Sequence, residues 1–190
     1  MTTKTKETDV DTFLPDDYDL PSSGGNYMKL ADGDNVFRIM SRAIYGWEYW
    51  TEDEDGKHPN RVHEKAEVPK EMWHNGNHKP KHFWAFVVWN WAEERFQILQ
   101  LTQKTIQKEL KSIAQDNDWG NPVGADAYDI VVSRSGEALN TEYSVRAKPK
   151  KKLNSGIAEE YEEFYCNLDA LYASADPFSP PEEDGEETPF

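Results

Sequence analysis

The run His82-Phe83-Trp84-Ala85-Phe86-Val87-Val88-Trp89-Asn90-Trp91 is the most strand-prone stretch of the chain, and it decides the fold. Its β-branched and aromatic side chains suit a pleated, half-buried surface. Ala92-Glu93-Glu94 reads as a short turn, and Arg95 to Leu101 as the antiparallel partner. Alternation sends Trp84 and Phe86 to one face, and Phe83, Trp89 and Trp91 to the other. A small barrel has one interior. One aromatic set is therefore expected to face outward or to pack beneath a loop.

Upstream of this hairpin, Ala31-Asp32-Gly33-Asp34 is a turn signal, and Val36 to Met40 is strongly β-prone. Ala43 to Thr51, with Ile44, Tyr45, Trp47, Tyr49 and Trp50, continues the same long, bent strand, with Gly46 as the candidate bulge. Residues 52–81 form a polar excursion too long for a turn, of the kind that is usually functional or mobile. Downstream, Thr102 to Gln115 predicts a helix. Thr102 is its N-cap, and Ile106, Leu110 and Ile113 fall at spacings of four and three. Tyr128 to Val132 and Thr141 to Ala147 predict two more strands, the second with Tyr143 and Val145 on one face. The order strand, strand, strand, helix, strand, strand predicts a mainly β domain over residues 26–153. Its form is a five-stranded OB-fold barrel with one helix between strands 3 and 4. The alternative is a generic α+β domain with a curled sheet.

Charge marks off the ends. The chain carries a net charge of -15, with 13% aromatic and 37% hydrophobic residues. Residues 1–20 hold two lysines and six acids, and residues 154–190 hold eleven acids and no Lys or Arg. The middle is therefore neutral. Four of its acids lie together in Glu52-Asp53-Glu54-Asp55, so the rest of its surface is mildly basic. Residues 1–25 and 173–190 are expected to be disordered. Between them, residues 154–172 form a possible acidic helix, with Tyr161, Phe164, Tyr165, Leu168 and Tyr172 at helical spacing. No run approaches 18 apolar residues, and Met1 to Asp11 has no apolar core of a secretory signal. Cys166 is the one cysteine, which rules out an internal disulfide and a cysteine-based zinc site. A cytoplasmic setting is expected.

No catalytic set emerges, and no cofactor is expected. There is no Walker loop, no Gly-x-Ser-x-Gly and no Cys/His pair in motif context. The acids lie mostly in ends and turns, and the best rigid pair, Asp126 and Asp129, is too little for a metal nuclease. His58, His63, His74, His78 and His82 cluster in one stretch, but Asn75-Gly76-Asn77 makes a poor helix between His74 and His78. No metal site is assigned, and these histidines are read as loop residues near phosphates. The remaining pattern interleaves rings and cations. Rings stack on unpaired bases while cations meet phosphates, which is what a single strand of nucleic acid requires. The candidate stacking residues are Trp47, Tyr49, Trp50, Trp84, Phe86 and Tyr143. The candidate phosphate contacts are Arg38, Arg42, Lys79, Lys81, Arg134, Arg146 and Lys148.

The chain ends in Glu182-Glu183-Asp184-Gly185-Glu186-Glu187-Thr188-Pro189-Phe190. A basic pocket with an apolar slot would hold both the Phe190 ring and the terminal carboxylate. This ending resembles the acidic C-terminal tip of bacterial single-stranded DNA-binding proteins, although Thr188 stands where that family usually has an aliphatic residue. The resemblance implies that Glu186, Glu187, Pro189 and Phe190 dock replication, repair and recombination proteins, and that the tip competes with DNA. Separately, residues 27–153 resemble a phage family of replication proteins. The likeness is carried by Tyr27-Met28-Lys29-Leu30, Gly46-Trp47-Glu48-Tyr49-Trp50, Lys79-Pro80-Lys81-His82-Phe83-Trp84-Ala85-Phe86-Val87-Val88 and Thr141-Glu142-Tyr143-Ser144-Val145. It implies an OB-fold protein that coats single-stranded DNA during phage replication. Two rivals stand beside it: an acidic interaction module or DNA mimic acting on a basic partner, and a small nuclease.

Overall fold

A computed structural model describes residues 25–73 and 79–182. The elements run β1 (Gly33–Ile39), β2 (Ile44–Asp53), β3 (Gly56–Val62), β4 (Lys81–Asn90), β5 (Arg95–Leu101), α1 (Lys104–Ala114), β6 (Asp129–Ser135), β7 (Glu142–Ala147) and α2 (Ser155–Glu163). The strands form a 7-stranded antiparallel sheet with the path β3-β2-β4-β1-β6-β7, and β5 pairs with β4 off that path. The mainly β class holds. The sheet, expected as a closed five-stranded barrel, is open, with no ladder from β5 to β7 among the described residues. α1 stands at that gap. Gln107 Nε2 donates to the carbonyls of His82 and Leu101, and Glu109 accepts from the Val145 amide on β7.

Two local features raise the strand count. The long bent strand is interrupted where Ile39 faces Val88 and Ile44 faces Ala85. Met40 to Ala43 thus oppose only Phe86 and Val87, which is a bulge of two extra residues. Its ladder groups are still paired: Met40 N donates to Val87 O, and Ser41 Oγ accepts from Val87 N. Gly46 is not the bulge. A Cβ there would sit 2.1 Å from the Val62 carbonyl oxygen, so its role is the close approach of β2 and β3. The second feature is β3 itself, inside the polar excursion. Its Gly-Lys-His-Pro-Asn-Arg-Val sequence lacks strand composition, and Pro59 is tolerated because β3 is an edge strand. α1 begins later than expected: its N-cap is Gln103, and Thr102 does not cap it.

One face of the sheet carries the main core. Phe37, Ile39, Phe86, Val88, Leu99, Leu101, Ile130 and Val132 pack there against Ile106 and Leu110 of α1. The far end of this core is closed by polar groups, with Asn90 Nδ2 donating to Gln97 Oε1, and Gln97 Nε2 donating to Gly25 O and Glu93 Oε2. Met28 pairs with Ile98 through the backbone, covering the free edge of β5.

The opposite face is also covered. Phe83, Trp89 and Phe96 lie beneath the segment that follows β7, through Leu153, Tyr161, Phe164, Leu168, Leu171 and Phe178. Full burial of each such side chain stabilises by roughly 1.5–3 kcal/mol. Of the aromatic set on this face, expected to face outward or to pack beneath a loop, Phe83 and Trp89 therefore lie under a second layer, while Trp91 is exposed. That layer consists of α2, a 3-10 turn at Leu168–Ala173 and the loop reaching Phe178, whose ring meets those of Tyr27 and Phe164. Pro177 and Phe178 belong to this packed layer although the residues from 173 onward were expected to be disordered.

Candidate nucleic-acid interface

β2 pairs with β4 through Tyr45 opposite Trp84 and Trp47 opposite His82. Residues directly opposite share a face. Trp84 packs against the main core, so Tyr45, Trp47 and, by alternation, Tyr49 lie on the core face beyond the core's edge. Tyr45 is 63% exposed, while Trp47, Tyr49, His82 and Trp84 are half-buried. The Trp47–His82 and Tyr45–Trp84 rungs follow one another at about 7 Å, two residues of strand rise. The Trp47 and His82 rings are 5.3 Å apart.

Cations surround the first rung. A cavity of about 510 Å³ is lined by Trp47 and His82 together with Lys65, Lys79, Lys81 and Lys104. No carboxylate lines it, and none of the four ammonium groups forms an ion pair with a described carboxylate. Lys65 Nζ lies 5.0 Å from the Trp47 ring and 5.4 Å from the Trp73 ring, close enough for cation–π attraction that fixes both rings. His82 Nδ1 is buried without a hydrogen-bond partner among the described residues. An unpaired buried polar atom is costly, and a ligand's polar group would relieve it.

Several candidates do not belong to this surface. Arg38 is 1% exposed. Its Nε donates to Asp129 Oδ1 at 2.9 Å, and its other nitrogens donate to the carbonyls of Gly124, Ala125 and Lys151. It is a buried clamp between β1, β6 and the segment after β7, out of reach of a phosphate. Phe86 is 2% exposed and fills the core, so it cannot stack on a base. Trp50 is 43% exposed but lies on the opposite face from Trp47, opposite Pro59 of β3. Tyr143 packs against the main core from β7.

Arg134 pairs with Asp32 at 3.1 Å, and Arg146 with Asp34 at 2.8 Å, so both guanidinium groups are already matched by carboxylates. The hydrogen bonds from Arg146 and then Ser133 hold the Asp34 carboxyl below its ordinary range. Lys148 is exposed just after β7. Arg42 is exposed on the bulge. Of the proposed contacts, Trp47, Tyr49, Trp84, Lys79 and Lys81 are brought together.

Tyr45, Lys65 and Lys104 complete the site without being among the sequence candidates, and His82, read from the sequence as a loop histidine near phosphates, joins them from within β4. Tyr45 was within reach, because it shares its parity with Trp47 and Tyr49. Lys65 and Lys104 come from a 3-10 turn after β3 and from the start of α1, and no sequence spacing joins them. His74 and His78, and the tip residues Glu186, Glu187, Pro189 and Phe190, lie outside the described residues. No helix among the described residues is long and apolar enough to cross a membrane. Compared with known protein families and with curated proteins, the chain matches none.

Proposed function

We propose that this chain binds single-stranded DNA, without strong dependence on sequence, along the face of β2 and β4. The observation that carries the reading is the lysine-lined cavity beside the ladder of rings: four ammonium groups that pair with no described carboxylate, next to half-exposed aromatics. Base–aromatic stacking contributes about 1–3 kcal/mol per base, and the cations track the backbone. A duplex keeps its bases stacked on each other and cannot use the rings.

The topology supports the same reading. β1 and β2 act as one bent strand along β4, and β3 is an excursion from its end. The order is then the strand and helix order of an OB fold, with α1 standing where the barrel would close. Joined to the sequence resemblances, this reading extends to a phage-type role: coating single strands during replication and recombination, while the tip residues Glu186, Glu187, Pro189 and Phe190 recruit partner proteins.

The test is titration of labelled single-stranded and duplex oligonucleotides over a range of salt. Preference for the single strand with a steep salt dependence is expected. Equal affinity for both, or binding indifferent to salt, removes the proposal.

A further inference from the structure

A second cavity, of about 230 Å³, opens beside the ring ladder. It lies where Met40 to Ala43 bulge between β1 and β2, and its walls are Ile39, Trp84, Phe86, Leu110, Ala114 and Val123. It is smaller than the ~300–1,000 Å³ pockets that hold drug-sized ligands, so it suits one ring system. Trp84 is both a wall of this cavity and half of the Tyr45–Trp84 rung, so the cavity continues the proposed path of the strand. Cations accompany it. Exposed Lys111 is among its lining residues, and exposed Arg42 sits between two others, Ser41 and Ala43.

The polar groups at this cavity are mostly committed. Ser41 Oγ accepts from Val87 N and donates to Arg42 O, and Asn121 Oδ1 accepts from Val123 N. The Gln115 side chain makes no hydrogen bond to a described residue, and its amide offers both a donor and an acceptor. A ligand with a flat apolar body, an apolar substituent and a mixed donor–acceptor edge matches these walls. Thymine is such a ligand, and its methyl group is the base feature that apolar side chains read.

We propose that this cavity holds one unstacked base of the bound strand, thymine in preference to other bases, with its methyl among the apolar walls and its polar edge toward Gln115. This rests on the single-strand reading and adds a base preference at one position of an otherwise tolerant path.

The experiment uses the full chain with fluorescent oligomers of about eight nucleotides, within the site size of one such domain, made of deoxythymidine or deoxyuridine. The unaltered chain is expected to bind the thymine oligomer about fourfold more tightly, the equivalent of one buried methyl. Ala114→Phe, which fills the cavity, is expected to remove that ratio and to weaken thymine binding about tenfold, with the remaining affinity still steeply salt-dependent. Gln115→Ala leaves the cavity open and is expected to weaken both oligomers alike, by about two- to tenfold.

A folded Ala114→Phe chain with the original ratio and affinity overturns the proposal. Should that variant fail to fold, a Gln115→Ala chain with unchanged affinity for both oligomers overturns it as well. A ratio of one in the unaltered chain sinks the base slot and leaves single-strand binding standing. No binding of either oligomer by the unaltered chain removes the single-strand reading itself.

Discussion

Replacing Lys79 and Lys81 together with glutamine tests the lysine cavity most directly. Both line it, both are exposed, and neither pairs with a described carboxylate. Their removal therefore costs the fold little, and the loss falls on the ligand. Each phosphate neutralised on a single strand contributes about 0.7 to the slope of log affinity against log salt. Two lost contacts lower that slope by about 1.4. At about 0.1 M salt the same arithmetic gives roughly 5-fold per contact, or about 25-fold for the pair, fading toward no difference near 1 M. The assay is anisotropy of a labelled thymine oligomer at four salt concentrations, with the thermal midpoint of each chain as the folding control. An unchanged slope in a folded double variant would refute the assignment of this cavity to phosphates, whatever happened to affinity at a single salt concentration.

Trp47→Ala should behave in the opposite way, losing about 1–3 kcal/mol of single-strand affinity with the salt slope unchanged. Arg38→Ala should leave the slope alone but destabilise the fold by roughly 3–5 kcal/mol in denaturant melts, because it strands Asp129 inside the protein. Burial first, and then Asp176, push the Cys166 thiol up to about 11. Its folded-state value is thus raised, so its stabilising effect is complete at pH below about 9 and is lost as pH rises toward 11. At pH 8 a thiol-alkylating reagent should react slowly with the native chain and rapidly once the segment over Phe83 and Trp89 is detached, as read by mass spectrometry. Truncation after Ser179, which spares Pro177 and Phe178, removes five acids and should tighten binding of single strands at low salt. Unchanged affinity would show that this acidic end does not compete with DNA.

Much of the fold was legible because its signals are local. The β4–β5 hairpin, α1 and the strands β6 and β7 each follow from residues adjacent in the chain, through alternation, helical spacing and turn composition. β3 was hidden because an edge strand has one neighbour to satisfy and can be built from polar residues and a proline. The bulge was misplaced at Gly46 because a glycine marks close approach as readily as a kink, and only the register of β4 tells the two apart.

The candidate site divides in the same way. The sequence by itself determined that the middle of the chain is neutral and aromatic-rich, that Trp47 lies on a strand, and that Lys79 and Lys81 lead into the strongest one. It could not determine which rings are left uncovered. Phe83 and Trp89 are buried by an acidic segment more than sixty residues away in the chain, and Phe86 by a core assembled from four other elements. Nor could it tell a clamp from a contact. Arg38 and Lys81 are both cations on strands, yet one meets a carboxylate and three carbonyls while the other faces an open cavity. Only the tertiary structure decided this, because burial and charge pairing depend on what the rest of the chain brings to a side chain, whereas strand and helix depend on its immediate neighbours.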